Sequence, residues 1–348
     1  MMRSHGFKFI AVFAVLALAL TAGTAMAGPK VMKLGLASPP KDWAYNYSPH
    51  RIFKEIVEAE THGSVKVELY PSNQLGGAKV LIGSVRKGAV QALCPSTGKL
   101  EPHFSKVNLL YLPYLFRNEM VAWKVLDGPF GQEWAEALRK ETGLRLLAFG
   151  ENGGFTHFVT RKKTIKSPAD LKGLKIRTED VPAMMTMVKA LGASPVAIDW
   201  PEMYTSLQTG VVDGFEENVV TLFDFNLQEV TRYMIMDRHM YASLAFCVND
   251  KWFSSLTPHE QKVIMQAAKV MRQASRTICR VKENILLEKA RKGEFTVYYP
   301  TAEEFKQFRD ATMAPSRKYV EGIDGVGKEW VDKLMSAIDE AEKELGLE

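Results

Sequence analysis

The chain has 348 residues, 46% of them apolar and 24% charged, with 45 Lys and Arg against 40 Asp and Glu. At about 100–200 residues per domain this length suggests two domains, and the composition excludes a disordered or collagen-like chain. The formal charge of +5 falls to +3 without Arg3 and Lys8 of the extreme N-terminus, which is too weak to argue for nucleic acid or an anionic membrane.

Residues 1–8 carry Arg3 and Lys8 and no acid, Phe9 to Ala22 is an apolar run, and Ala25-Met26-Ala27 is a small-x-small pattern. Together they predict a secretory signal peptide over residues 1–27, cleaved near Ala27; a bilayer span needs about 20 apolar residues and the run is shorter. The mature product is then exported and soluble, with the periplasm as its destination. Its three cysteines have no close spacing and lie in apolar stretches, so Cys94, Cys247 and Cys279 read as buried free thiols. Val31–Ala37 reads as a strand, Trp43–Glu60 as a helix, Val65–Tyr70 as a strand, Ala78–Lys87 as a helix and Ala89–Cys94 as a strand. A second set follows: strands Leu144–Phe149 and Phe155–Thr160 interrupted by Gly153-Gly154, then Leu174–Arg177, helix Pro182–Leu191, strand Ala193–Ile198, a helix from Asp199-Trp-Pro-Glu202, and strand Val211–Phe215. This alternation predicts an α/β fold with a mainly parallel sheet. Thr257-Pro-His-Glu260 is a capping box with no Pro or Gly after it until Gly293, which predicts a helix of roughly 34 residues, about 50 Å long and able to run along both domains.

Enzyme signatures fail. There is no Gly-x-Ser-x-Gly, His-Glu-x-x-His, Cys-x-x-Cys or Gly-x-Gly-x-x-Gly after a strand. Gly322 to Lys328 has phosphate-loop spacing, but Glu329 stands where a Ser or Thr would hold magnesium, and the seven histidines lack ligand spacing. The sequence therefore implies no metal and no cofactor.

Asp170-Leu-Lys-Gly-Leu-Lys-Ile-Arg177, Ala190-Leu-Gly-Ala-Ser-Pro195 and Glu202-Met-Tyr-Thr-Ser-Leu-Gln-Thr-Gly-Val-Val-Asp-Gly214 occur in order, after Tyr70-Pro-Ser-Asn-Gln-Leu-Gly76 and Leu112-Pro-Tyr-Leu115. These segments resemble the solute-binding subunits of tripartite ATP-independent periplasmic (TRAP) transporters, the DctP-type family, over nearly all of the mature chain. The resemblance implies a two-domain clamshell binding protein with crossover segments and a long C-terminal helix spanning both domains. On that pattern residues 28–151 with about 242–282 form one domain, and 152–241 with about 283–348 the other. It also implies a monomer that takes a small carboxylate solute to a membrane permease and makes or breaks no bond.

Arg177 ends a short strand, where ligands gather in open α/β sheets, and a guanidinium can grip a carboxylate through two charge-assisted hydrogen bonds. The resemblance makes it the clamp. Trp200 matches a pocket-lining aromatic. The family pattern Asp-Gly-x-Glu-Asn is here Asp213-Gly-Phe-Glu-Glu217-Asn218, so Glu217 falls at the ligand-reaching Asn position and Asn218 follows it. A carboxylate there would repel a dicarboxylate and favour a zwitterion or an amine- or hydroxyl-bearing monoacid. The turn from Asn152 lacks a second Arg, leaving Thr156 or His157 in its register. Trp43 and Asn46, near the first helix start, and Ser96, after the third strand, complete the expected wall. The rival readings are an enzyme using His157 and Glu217 as an acid–base pair, and a sensory protein presenting its ligand to a receptor.

Overall fold

The computed structural model describes residues 28–293 and 295–347, so the expected signal segment 1–27 lies outside the described residues. The elements are, in chain order, β1 (Lys30–Gly35), α1 (Ser48–Glu60), β2 (Val65–Tyr70), α2 (Ala78–Arg86), β3 (Ala92–Leu93), α3 (Glu119–Asp127), α4 (Pro129–Thr142), β4 (Leu144–Thr160), α5 (Pro168–Leu171), β5 (Lys175–Thr178), α6 (Pro182–Ala190), β6 (Ser194–Ala197), α7 (Met203–Thr209), β7 (Gly214–Glu217), α8 (Val219–Asp224), β8 (Tyr233–Ile235), β9 (Met240–Asn249), α9 (Asp250–Ser254), α10 (Pro258–Lys292), β10 (Thr296–Tyr298), α11 (Ala302–Glu321) and α12 (Gly327–Glu344). The strands run in the order β2-β1-β3-β9-β4-β7-β5-β6, with β8 joining β4 to β10. The first half of this sheet, β2-β1-β3, and the far half, β7-β5-β6, are each parallel.

Between them lie β4 and β9, antiparallel from Leu144 opposite Asn249 to Thr156 opposite Met240. The sequence reads β4 as two strands broken at Gly153-Gly154. The structure joins them through a register shift between Glu151 and Gly154, because the uninterrupted β9 keeps both pieces in one ladder. Gly153 and Gly154 have φ of +80° and +99°, and an added Cβ would meet Asn218 Oδ1 and Arg280 Nη2, each at 1.9 Å. The bulge needs glycine for its conformation and for that clearance.

α1 starts at Ser48 instead of Trp43, since Trp43 has φ +63° and Pro49 occupies the first turn. β7 begins at Gly214, with Val211 left exposed before it, so the strand carries Glu216 and Glu217. α10 has 35 residues, opens on the capping box of Thr257 and Glu260, and stops before Gly293, as the sequence implies. It packs on β4 and α1 at one end and on α8 and β10 at the other. α11 packs on α6 of the far half, while α12 packs on α3 and α4, which precede β4. The residues after 283, which the sequence grouping puts with the second domain, thus touch elements of both.

Around β1, β2 and α1 a core of Met32, Leu34, Phe53, Val65 and Val67 meets Ile264, Ala267, Ala268 and Met271 of α10. On the far half, Val159, Met203, Leu207, Phe215 and Leu222 form a separate cluster. Cys94, Cys247 and Cys279 are free and buried. Among the described residues no helix is long and apolar enough to cross a membrane, and no group of His, Cys, Asp and Glu is arranged to hold a metal ion.

Glu260 ties α10 to the first half of the sheet: it accepts from Thr257 N at 2.8 Å and Ser64 Oγ at 2.8 Å, and pairs with Lys30 Nζ at 3.2 Å. Burial opposes the charge, but these partners outweigh it and hold the carboxyl down at about 2. A depressed carboxyl stabilises the fold above its unfolded value and loses that contribution as pH falls through the folded one. Glu260→Gln should cost about 1 kcal/mol at pH 7, the worth of a helix cap. In thermal unfolding the gap to the wild type should close between about pH 4.5 and pH 2.

Candidate functional site

β5, β6 and β7 end on the same edge, facing the loops that follow β1 and β3. Arg177 lies beside Phe215 across the β5–β7 ladder, and is 1% exposed. Its Nε donates to Ile198 O at 3.0 Å, and its guanidinium carbon lies 5.7 Å from the centre of the Trp200 ring. Trp200 is braced edge-on by Phe225 at 4.8 Å. No carboxylate among the described residues makes an ion pair with Arg177, and its terminal nitrogens have no protein hydrogen-bond partner there. Its charge still acts on Glu216 and Glu217, offsetting the burial of both.

Those two glutamates end β7. Side chains alternate along a strand, so they leave opposite faces of the sheet. Glu217 Oε1 accepts from Asn218 N at 3.0 Å and Asn218 Nδ2 at 2.5 Å, while Oε2 has no hydrogen-bond partner among the described residues. Burial, and then the charge of Glu216, push the Glu217 carboxyl well above the usual carboxylate range. Glu216 is also raised by burial, and its Oε2 is buried without a hydrogen bond.

Asn218 is the N-cap of α8: its Oδ1 accepts from Thr221 N at 2.8 Å, and its Nδ2 donates to Asn152 O at 2.8 Å. Both ends of that amide are committed to the fold, and the Asn152 contribution is a backbone carbonyl. The signal for this was in the sequence, an Asn directly before a short apolar helical run.

His157 is paired with Glu217 in the β4–β7 ladder but is fully buried. Its Nδ1 accepts from Arg238 N at 3.1 Å, and Nε2 has no hydrogen-bond partner. It belongs to a buried relay. Asp237 Oδ2 accepts from His239 Nδ1 at 2.8 Å and from Tyr114 Oη at 3.1 Å, and His239 Nε2 lies 3.8 Å from Glu216. Burial opposes both charges, yet Asp237 and His239 hold one another ionised, with His239 raised to about 9 and Asp237 well below its ordinary value. His157 is lowered by burial. The Asp-x-His spacing of residues 237–239 carried no family signal, and the sequence reading missed it.

Across the edge, Ser96 Oγ donates to Glu179 Oε2 at 3.0 Å, and Tyr111 Oη donates to the same oxygen at 3.0 Å. Gly98 N donates to Tyr111 Oη at 2.8 Å. Lys99 pairs with Asp199 at 3.2 Å, a second bridge between the same two sides. Asn46 is buried, with Nδ2 donating to Cys94 O at 3.1 Å and Oδ1 lacking a partner. Trp43 is 59% exposed and holds Lys282 Nζ on its carbonyl. The structure therefore brings Arg177, Trp200 and Glu217 to one edge with Ser96 facing them. It sets His157, Asn152 and Asn218 into the supporting framework, and Trp43 at the outer rim. Glu179, Tyr111 and Glu216 were not foreseen.

A cavity of about 470 Å³ lies elsewhere, between Tyr114–Arg117, Arg238 and the helices α11 and α12. None of the residues around Arg177 lines it. The strand-end cleft is the better candidate because it gathers a charged donor group, an aromatic wall and carboxyls with shifted ionisation.

Residues 39–322 match the family model described as bacterial extracellular solute-binding protein, family 7 (DctP). A Haemophilus influenzae protein of unstated function is 34% identical over 264 residues, 75% of this chain and 78% of that one. The Escherichia coli 2,3-diketo-L-gulonate-binding periplasmic protein YiaO is 32% identical over 216 residues, 62% of this chain and 65% of its own. Among solved structures, the sugar acid binding protein DctPAm of Advenella mimigardefordensis, in complex with galactonate, superposes with a TM-score of 0.84 at 28% identity, over 90% of this chain and 99% of that one.

A carboxyl whose folded pKa is raised destabilises the fold as pH climbs above its unfolded value. Glu217→Gln keeps an acceptor for Asn218 and removes that penalty. The ligand-free variant should melt higher than the wild type at pH 8, and the difference should shrink toward pH 4.5. A lower melting temperature at pH 8 would contradict the burial of a charged Glu217.

Proposed function

The chain belongs to the DctP family of bacterial extracellular solute-binding proteins, and on that premise we propose that its solute is a hydroxylated monocarboxylate of the sugar-acid kind. The family's members are periplasmic binding proteins of TRAP transporters, and the chain binds and releases its solute without making or breaking a bond. Arg177 carries the reading: it is a buried guanidinium whose terminal N–H groups have no protein partner among the described residues. A carboxylate can satisfy such a group through two parallel charge-assisted hydrogen bonds. Trp200 limits the approach to the ring face.

Support for the hydroxyl groups comes from the remaining polar groups of the cleft. Glu179 and Glu217 offer acceptor oxygens, and Ser96 and Tyr111 offer hydroxyls. A polyol chain can donate to the first and to the lone pairs of the second, whose own protons go to Glu179. A second carboxylate would be placed among acids with one cation to balance them. The E. coli relative is named for 2,3-diketo-L-gulonate and the Advenella structure holds galactonate; each is a monocarboxylate with several oxygens along its chain.

In this reading the solute bridges the two sides of the cleft and favours their closed arrangement, which the permease subunits then recognise. The chain acts as a monomer after cleavage near Ala27. To carry the closed population from 1:99 to 99:1, the solute must prefer that state by about 5.5 kcal/mol.

The test is a thermal-shift and calorimetric screen of unfolded and refolded mature protein against aldonates, uronates, amino acids and C4-dicarboxylates. An aldonate or related keto sugar acid should bind best. Each charge-assisted hydrogen bond contributes about 1.5–3 kcal/mol, so Arg177→Ala should weaken the best ligand by about 100-fold or more. Succinate or fumarate as the tightest ligand would overturn the solute class, and binding that survives Arg177→Ala would overturn the clamp.

A further inference from the structure

We propose that Glu179 sets the selectivity of this cleft, turning it against solutes with a carboxylate at the end remote from Arg177 and toward solutes with a hydroxyl there. This rests on the reading of Arg177 as the carboxylate clamp. Glu179 lies two residues beyond Arg177, where β5 has just ended. Its backbone is fixed by the following turn, in which Val181 N donates to Glu179 O at 2.8 Å. The side chain is therefore delivered to the cleft by the same strand that delivers the clamp.

One carboxylate oxygen is committed. Oε2 accepts from Ser96 Oγ at 3.0 Å and from Tyr111 Oη at 3.0 Å, two hydroxyls from the opposite side of the cleft. The other oxygen, Oε1, has no hydrogen-bond partner among the described residues. An ionised carboxylate only accepts, so Oε1 can take a hydroxyl proton and cannot receive a second anion. The arrangement is built closely. A Cβ on Gly98 would come within 2.5 Å of Glu179 Oε2 and 2.3 Å of Tyr111 Oη, so glycine at 98 is what allows this approach.

Glu179 also reaches the rest of the site electrostatically, its charge adding to the burial that raises Glu216 and Glu217. Three carboxyl side chains thus act on one another around one guanidinium, Glu216 from the face of β7 opposite to Glu217. Glu217 is lifted furthest toward its neutral form, and Glu179 is the acid whose oxygen is anchored by two hydroxyls across the cleft. It is the best-positioned negative group to meet the far end of a solute held by Arg177.

The test uses pairs of acids that share a carbon skeleton and differ only at the far terminus: erythronate against meso-tartrate, and galactonate against galactarate. By calorimetry on the mature protein, the wild type should prefer the monoacid of at least one pair by about 100-fold. Glu179→Gln keeps an acceptor for Ser96 and Tyr111 and loses the charge. It should narrow that preference by about 10-fold, chiefly by gaining affinity for the diacid. Glu179→Ala should narrow it as well, and thermal unfolding of both variants checks that each is folded. A wild type that prefers the diacid, or an unchanged ratio in folded Glu179→Gln and Glu179→Ala, would overturn the role of Glu179 and leave the clamp standing. If the wild type binds no member of either pair, or if Arg177→Ala binds as well as the wild type, the reading of the site fails and Glu179 falls with it.

Discussion

Arg177 is 1% exposed, donates one hydrogen bond to a backbone carbonyl, and has no ion-pair partner among the described residues. Burying a charge in this way is costly unless something compensates it. The surroundings compensate only in part. The Trp200 ring lies over the guanidinium, and the fields of Glu216 and Glu217 reach it. Those glutamates are themselves pushed toward neutrality by burial, so the positive charge keeps its pull on an incoming carboxylate. The rest of the cleft is organised around that imbalance.

The geometry is held by strands that belong to neither half of the sheet alone. β4 pairs with β9 along most of its length and then turns its last residues to β7 and β8. The bulge at Gly153-Gly154 lets one strand serve both, and Asn218 locks it by capping α8 while donating to the carbonyl of Asn152. On the other face of this joint Glu151 accepts from Arg280, Trp123 and Tyr241, so α10 is fastened at the same place. Asn218, Glu151 and Arg280 spend their polar atoms on the framework beside the cleft, whereas Arg177, Glu179 and Glu217 each keep polar atoms without a protein partner among the described residues. A binding protein requires that division, since groups that are satisfied internally gain nothing from a solute.

Much of this was legible in the sequence. The alternation of strand and helix implied the parallel halves, the capping box and Gly293 fixed both ends of α10, and the motif around Arg177 singled out the residue proposed here as the clamp. What was not legible depended on long-range pairing. β4 looked broken at its glycines because its partner β9 lies about a hundred residues away, and β9 itself was not recognised. Glu179 was not singled out, since its partners Ser96 and Tyr111 come from a segment of short 3₁₀ turns without periodicity. His157 drew attention because the turn from Asn152 leaves it or Thr156 in the register of a family Arg; in the structure it is fully buried opposite Glu217, its Nδ1 accepting from Arg238 N. Asn218 sits one residue after the position that the family pattern assigns to the ligand, and α8 claims it as a cap.

The most direct measurement is a crystal structure of the mature protein with its tightest-binding acid. The account predicts both carboxylate oxygens on the terminal nitrogens of Arg177 at about 2.7–2.9 Å, with the Ile198 carbonyl still holding Nε and Trp200 against the solute. A carboxylate held by any other group, with Arg177 unchanged or paired to Glu217, would contradict it.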